Sequence, residues 1–233
     1  MIEILTSPLF YILITVTLYS FLSNIYKKTK ITILHPLITT STLLILYLYL
    51  ISIINNNDKI DELVKYNNSL NIINLMLGPL IIILAIPIYK NRLILKKYWP
   101  LILISTTIGT TVSISSVYLL GTWLKLDNTL IISLIPKSVT TAIAKEIAIN
   151  IGGIPEITIA AVIFTGLLGS TLGPLFTKIF KLNDWISTGL SFGITSHAVG
   201  TSKAMEISLE TGAISSIAIA TTGIITMIVC IFI

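Results

Sequence analysis

Apolar runs long enough to cross a bilayer, which takes roughly 20 residues each, fill this chain and are separated by short polar connections. The pattern predicts spans over residues 8–26, 31–54, 72–89, 99–120, 156–180 and 213–233. The span at 72–89 carries Gly78, Pro79 and Pro87, residues that weaken or remove backbone hydrogen bonds, and is expected to kink or break. The most polar stretch, 55–68, holds Asp58, Lys59, Asp61, Glu62 and Lys65 and reads as a solvated loop or short surface helix.

Two segments do not fit the simple pattern. Residues 126–135 are too short to cross before Pro136, and the apolar run resumes at 138–149 before Gly152 and Gly153 stop it. Two short halves around a proline read as a broken crossing helix or a re-entrant hairpin. Residues 185–205 are interrupted by the polar run from Thr195 through His197, Gly200, Thr201 and Ser202 to Lys203.

Composition settles the class. Of 233 residues 54% are hydrophobic and 11% charged, whereas a soluble domain carries about 25% charged residues. The fold class is therefore an all-α polytopic transmembrane bundle of about seven to eight segments, read as a single membrane domain over 1–233. A short echo of His35-Pro36 in Pro136-Lys137 gives a reading with repeats at 1–122 and 123–233. The net charge of +5 sits in short loops and reads as topology determinants beside anionic lipid, not as a nucleic-acid surface. Lys27, Lys28 and Lys30, with Lys90, Arg92, Lys96 and Lys97, mark the cytoplasmic side. Lys178 and Lys181 join that side only if the chain around Pro136 turns back. An inverted repeat of crossing helices would require it to pass through.

Chemistry concentrates on Lys137. A cation in the middle of an apolar run is a functional hypothesis by default, and the first N–H groups of a half-helix beginning beside it carry partial positive charge. With the hydroxyls of Ser138, Thr140 and Thr141, this suits a small carboxylate. The bland alternative is a lysine reaching from a hairpin tip to a lipid headgroup. His197 reads either as a substrate- or proton-coupling group or as a histidine bonded to a neighbouring carbonyl. Lys203 and Glu206 are spaced as a helical ion pair. Cys230, the one cysteine, excludes an intrachain disulfide, and two histidines without further ligands point to no metal or other cofactor. The zincin and nucleophile-elbow motifs are absent, so an enzyme is not expected.

The blocks SLIPKSVTTAIA, INIGGIPEIT, FTGLLGSTLGP and SHAVGTSKAMEISLETGAISSIAIATTGIIT, with LGPLIIILAIPIYK in the first half, resemble the LrgB/CidB family of bacterial membrane proteins over essentially the whole chain. The resemblance implies a multi-pass protein of the cell membrane that transports small monocarboxylates of the pyruvate, glycolate or glycerate class with a small LrgA/CidA-type membrane partner. The alternative it carries is a holin-like or antiholin-like regulator of murein hydrolase activity and autolysis. Carried onto this chain, the family blocks place substrate at Lys137, Ser138, Thr140 and Thr141 on one broken segment and at His197, Gly200 and Thr201 on the other, with access alternating as one bundle moves against another. A homo-oligomer is compatible with this reading. Ala142 stands where the family usually has proline, which bears on how sharply the half-helix after Lys137 is broken.

Overall fold

The computed structural model describes residues 6–29, 34–55, 59–76, 79, 82 and 85–233, and these are mostly helical, with no strand among them. Five of the helices are long and apolar enough to cross a membrane, as a multi-pass membrane protein requires. The chain forms two compact units, residues 1–77 and 78–233. Of the expected helix-breaking positions in the first of the irregular spans, Gly78 lies outside the described residues; Pro79 is helical and Pro87 falls within the helix Ala85–Lys90.

In the first unit, α1 (Pro8–Thr29) and α2 (Pro36–Ile54) pair, and the short α3 (Lys59–Ser69) packs on both, followed by α4 (Asn71–Leu75). His35 starts α2, its ring nitrogen accepting from the Leu37 N–H at 3.3 Å, with Pro36 in the first turn, where a missing N–H costs nothing. The polar stretch expected to be solvated is only partly so. Glu62 of α3 is fully buried: Tyr11 donates to one of its carboxylate oxygens at 3.0 Å and Lys65 pairs with the other at 3.0 Å. An amphipathic surface helix can therefore dock its polar residues onto two apolar spans, because the tyrosine hydroxyl and the lysine satisfy the carboxylate.

The second unit begins with α5 (Ala85–Lys90) and α6 (Arg92–Trp123). Next come α7 (Asn128–Leu134), a 3₁₀ turn (Ile135–Ser138) and α8 (Thr141–Asn150), then α9 (Pro155–Ile179), α10 (Trp185–Ile207) and α11 (Leu209–Cys230). Pro136 turns the chain back. Ser133 and Gly153 would stand roughly 30 Å apart along a continuous helix. Instead the Ser133 hydroxyl accepts from the Ile154 N–H at 2.7 Å, and Thr158 donates to the Ser133 carbonyl at 2.7 Å. Residues 128–150 are thus a re-entrant hairpin, the reading that puts Lys178 and Lys181 on the side of Arg92, Lys96 and Lys97.

The interrupted segment α10 is a second hairpin. Its chain reverses at His197, whose backbone sits at φ 38° and ψ −133°, a conformation disfavoured for any side-chain-bearing residue. Gly189 on the outgoing leg lies against the Thr211 carbonyl, while Met205 on the returning leg lies against Gly212, although a straight helix would separate these two leg positions by roughly 24 Å. At Gly200 the returning leg approaches the Phe192 carbonyl so closely that an added Cβ would stand 2.7 Å from the oxygen. Only glycine permits that approach.

The hairpins enter from opposite ends of the unit. The start of α6 packs with the outgoing leg of α10, through Ile94, Leu95, Tyr98, Trp185 and Leu190. Its other end packs with the first hairpin, through Val117, Ile131, Ile135 and Val139. The helix before each hairpin closes in the same way: Lys125 and Lys181 adopt left-handed φ of 55° and 52°, and Leu126 and Leu182 donate back to the carbonyls of Gly121 and Thr177, both at 2.9 Å. Asp127 and Asp184 then cap the next helices with their carboxylates. This topology predicts that cysteines placed by Asn128→Cys and Asn150→Cys, in a Cys230→Ser background, label from one side of the membrane with an impermeant thiol reagent. Asn183→Cys and Glu210→Cys should label only from the other side.

Candidate functional site

Both hairpin tips reach the middle of α9. The His197 ring Nε2 donates to the Val162 carbonyl at 2.9 Å and lies against Gly166, where an added Cβ would come within 2.6 Å of the ring. Lys137, at the tip of the first hairpin, opens onto a groove of about 600 Å³ that runs along α9 and the outgoing leg of α10. Toward the hairpin tips the groove is lined by Lys137, Thr165, Thr195 and Ser196, and Ser191 and Thr177 line it farther along. The rest of its wall is mainly apolar, formed by residues such as Leu168, Leu172, Phe176, Phe180 and Phe192.

Lys137 is half-buried and donates from Nζ to the Ser113 hydroxyl at 3.1 Å. Ser113 and Ser138 share a hydrogen bond of 2.7 Å, so a serine of α6 fixes both tip residues. No carboxylate among the described residues lies within ion-pair distance of Lys137; the two ion pairs found there are Lys65 with Glu62 and Lys203 with Glu206. Glu146 is exposed. The Thr140 hydroxyl has no hydrogen-bond partner among the described residues and stands at the start of α8, whose first N–H groups lack a side-chain cap. Thr141 is the first residue of α8.

The residues singled out in the second segment are arranged differently. His197 is 3% exposed and spends one ring nitrogen on the Val162 carbonyl, the geometry of the bland alternative. Gly200 is a contact point between the legs, and Thr201 shares a 2.6 Å hydrogen bond with Ser215 of α11. None of these three lines the groove, nor do Ser138, Thr140 and Thr141 of the first hairpin, whereas Lys137, Thr195 and Ser196 do. Ser113 and Thr165 are additions that local pattern does not single out, since hydroxyl residues are ordinary in membrane helices. The hydroxyl-rich run TTIGTTVSISS over 106–116 is the signal that α6 faces something polar.

A second signal lies in the chain itself. Residues 137–147 set against 197–207 match at Val139 and Val199, Thr141 and Thr201, Ala144 and Ala204, Glu146 and Glu206, and Ile147 and Ile207. In this register Lys137 and His197 occupy equivalent tip positions, as the opposed hairpins require. Comparison with known proteins identifies the family. The LrgB-like family model matches residues 15–233.

The chain belongs to the LrgB family. Among relatives of this LrgB-family protein, the antiholin-like protein LrgB of Bacillus subtilis (strain 168) is 37% identical over 224 residues, covering 96% of this chain and 94% of the relative. The uncharacterized protein YwbG of the same organism is 35% identical over 92% of each chain. The antiholin-like protein LrgB of Bacillus mycoides (strain KBAB4) is 34% identical over 96% of this chain and 94% of its own. No solved structure matches.

Tight packing at the hairpin tips of this LrgB-family chain gives a direct test. A Cβ at Gly169 would collide with the Ser196 hydroxyl, so Gly169→Ala should destabilise the purified protein by about 1–3 kcal/mol, as overpacking does. Thermal unfolding in detergent measures this, and Ser170→Ala, which leaves the contact untouched, serves as the reference.

Proposed function

We propose that this LrgB-family protein carries small monocarboxylates across the membrane, with Lys137 as the charge that binds the carboxylate. The observation that carries this reading is an ammonium held by a serine, facing a groove, with no carboxylate of the described protein beside it. A cation in hydrocarbon costs about 2.5–3.5 kcal/mol on insertion scales, and an anionic ligand would offset that cost. The Thr140 hydroxyl, buried and unpartnered among the described residues, and the uncapped first turn of α8 are neutral donors next to the tip, although neither lines the groove. Thr165, Thr195 and Ser196 supply hydroxyls from the opposite wall.

Ser138 and Ser113 hold the lysine in place, Thr141 opens the half-helix, and His197, Gly200 and Thr201 support the second hairpin from behind. Two hairpins inserted from opposite sides give one gate per side: withdrawing one tip would open the groove to one compartment while the other stays closed. A small LrgA/CidA-type membrane protein is the proposed partner.

The second reading, regulation of murein hydrolase activity and autolysis, is favoured by the antiholin-like name borne by two of the relatives. The two readings separate in proteoliposomes. A carrier saturates and discriminates among pyruvate, glycolate and glycerate, and the assay is run with and without the small partner. Lys137→Gln should raise the half-saturating concentration by about ten- to a hundredfold, the loss expected for one charge-assisted hydrogen bond. Saturable uptake at the parental concentration in this variant overturns the assignment of Lys137. A chain that alters autolysis in cells but shows no saturable uptake supports the second reading.

A further inference from the structure

The groove is far larger than a three-carbon acid needs. Lys137 and its hydroxyls occupy one end, while Leu168, Leu172 and Phe176 continue along α9 and Phe192 closes the side. From Leu168 to Phe180 the wall spans twelve residues along α9, roughly 18 Å at 1.5 Å per residue, room for an extended chain of about ten carbons or more. Charge at one end and a mainly apolar wall along the rest, interrupted by Thr177 and Ser191, is the complement of an amphiphilic anion with a single chain.

We propose that the groove binds unbranched medium-chain monocarboxylates, with the carboxylate at Lys137 and the alkyl chain along Leu168, Leu172 and Phe176. This rests on the reading of Lys137 as a carboxylate site and extends it to a substrate class with a longer tail. The charge complementarity favours such an acid over a lipid acyl chain, whose headgroup belongs at the membrane surface and not beside a lysine at the tip of a buried hairpin. It also favours the acid over a partner helix, which would leave the ammonium without an anion.

The test uses the full chain in proteoliposomes, with butyrate, hexanoate, octanoate and decanoate competing against labelled pyruvate. Binding of octanoate to the purified protein in nanodiscs is measured separately by calorimetry. Each added methylene should tighten inhibition by about fourfold until the arm is filled. Leu168→Gln and Leu172→Gln should each flatten this dependence relative to the variant's own pyruvate value, whereas Leu175→Gln, exposed as they are but outside the groove, should keep it. Octanol should compete poorly.

No dependence on chain length overturns the proposal. So does a dependence that Leu172→Gln leaves intact, which would mean that the acids act through the bilayer, or inhibition by octanol equal to that by octanoate, which would mean that any acyl chain fills the groove. The two readings fail separately. Saturable, Lys137-dependent pyruvate uptake without octanoate competition removes this inference alone. Octanoate binding that Lys137→Gln abolishes, in a protein whose pyruvate uptake is indifferent to that change, removes the small-acid reading alone.

Discussion

A backbone that reverses direction inside a bilayer exposes N–H and C=O groups that hydrocarbon cannot satisfy, so a re-entrant tip survives only when protein surrounds it. That constraint explains most of the second unit. Ile135, Pro136, Ser138 and Val139 are buried at one tip and Ser196 and His197 at the other, and α9 provides the wall both tips press against. The polar contacts there are few and specific. Ser113 bonds both Ser138 and Lys137, and His197 bonds the Val162 carbonyl. Each places a donor where an unpaired group would otherwise cost a few kcal/mol.

Close packing follows from the same requirement. Where lipid tails are as apolar as leucine, helices gain little from hiding side chains and much from approaching one another, and small residues set the distance. Along α9, Gly166, Gly169 and Gly173 meet His197, Ser196 and Phe192 in turn, which is what an antiparallel leg seated directly on this helix requires. The arrangement also sharpens the stakes at His197. A histidine at φ 38° is held there by its ring contact with Gly166 and its bond to Val162, so the strained turn and the packing of α9 are parts of one structure.

The sequence makes some of this legible and hides the rest for identifiable reasons. Lys137 stands out because a cation in an apolar run is costly wherever it sits, and the polar run after Thr195 stands out likewise. Whether such a run crosses or returns is not encoded in hydrophobic periodicity, because both arrangements are short apolar helices around a break. The contacts of Ser133 with Ile154 and Thr158 decide that for Pro136, and those of Gly189 and Met205 decide it for His197. The burial of Glu62 was hidden as well: an acidic residue in the most polar stretch reads as solvated until Tyr11, far away in sequence, is brought to it. The match of residues 137–147 to 197–207 is visible in the letters, but five identities in eleven gain weight only once both segments prove to be hairpins with equivalent tips.

The equivalence of the tips has a chemical consequence. An inverted pair of hairpins would present two similar surfaces to a central ligand, yet this chain places lysine at one tip and histidine at the other, and treats them differently. The histidine is turned into α9 and bonded to a carbonyl, while the lysine is supported from behind by Ser113 and faces the groove. The second hairpin contributes hydroxyls from Thr195 and Ser196 in place of a charge. A site with one fixed cation and neutral donors opposite suits a monoanion better than a dianion, since a second negative charge would be buried without a partner. Broken symmetry at the tips, more than the presence of lysine alone, is the ground on which we propose monocarboxylates for this groove.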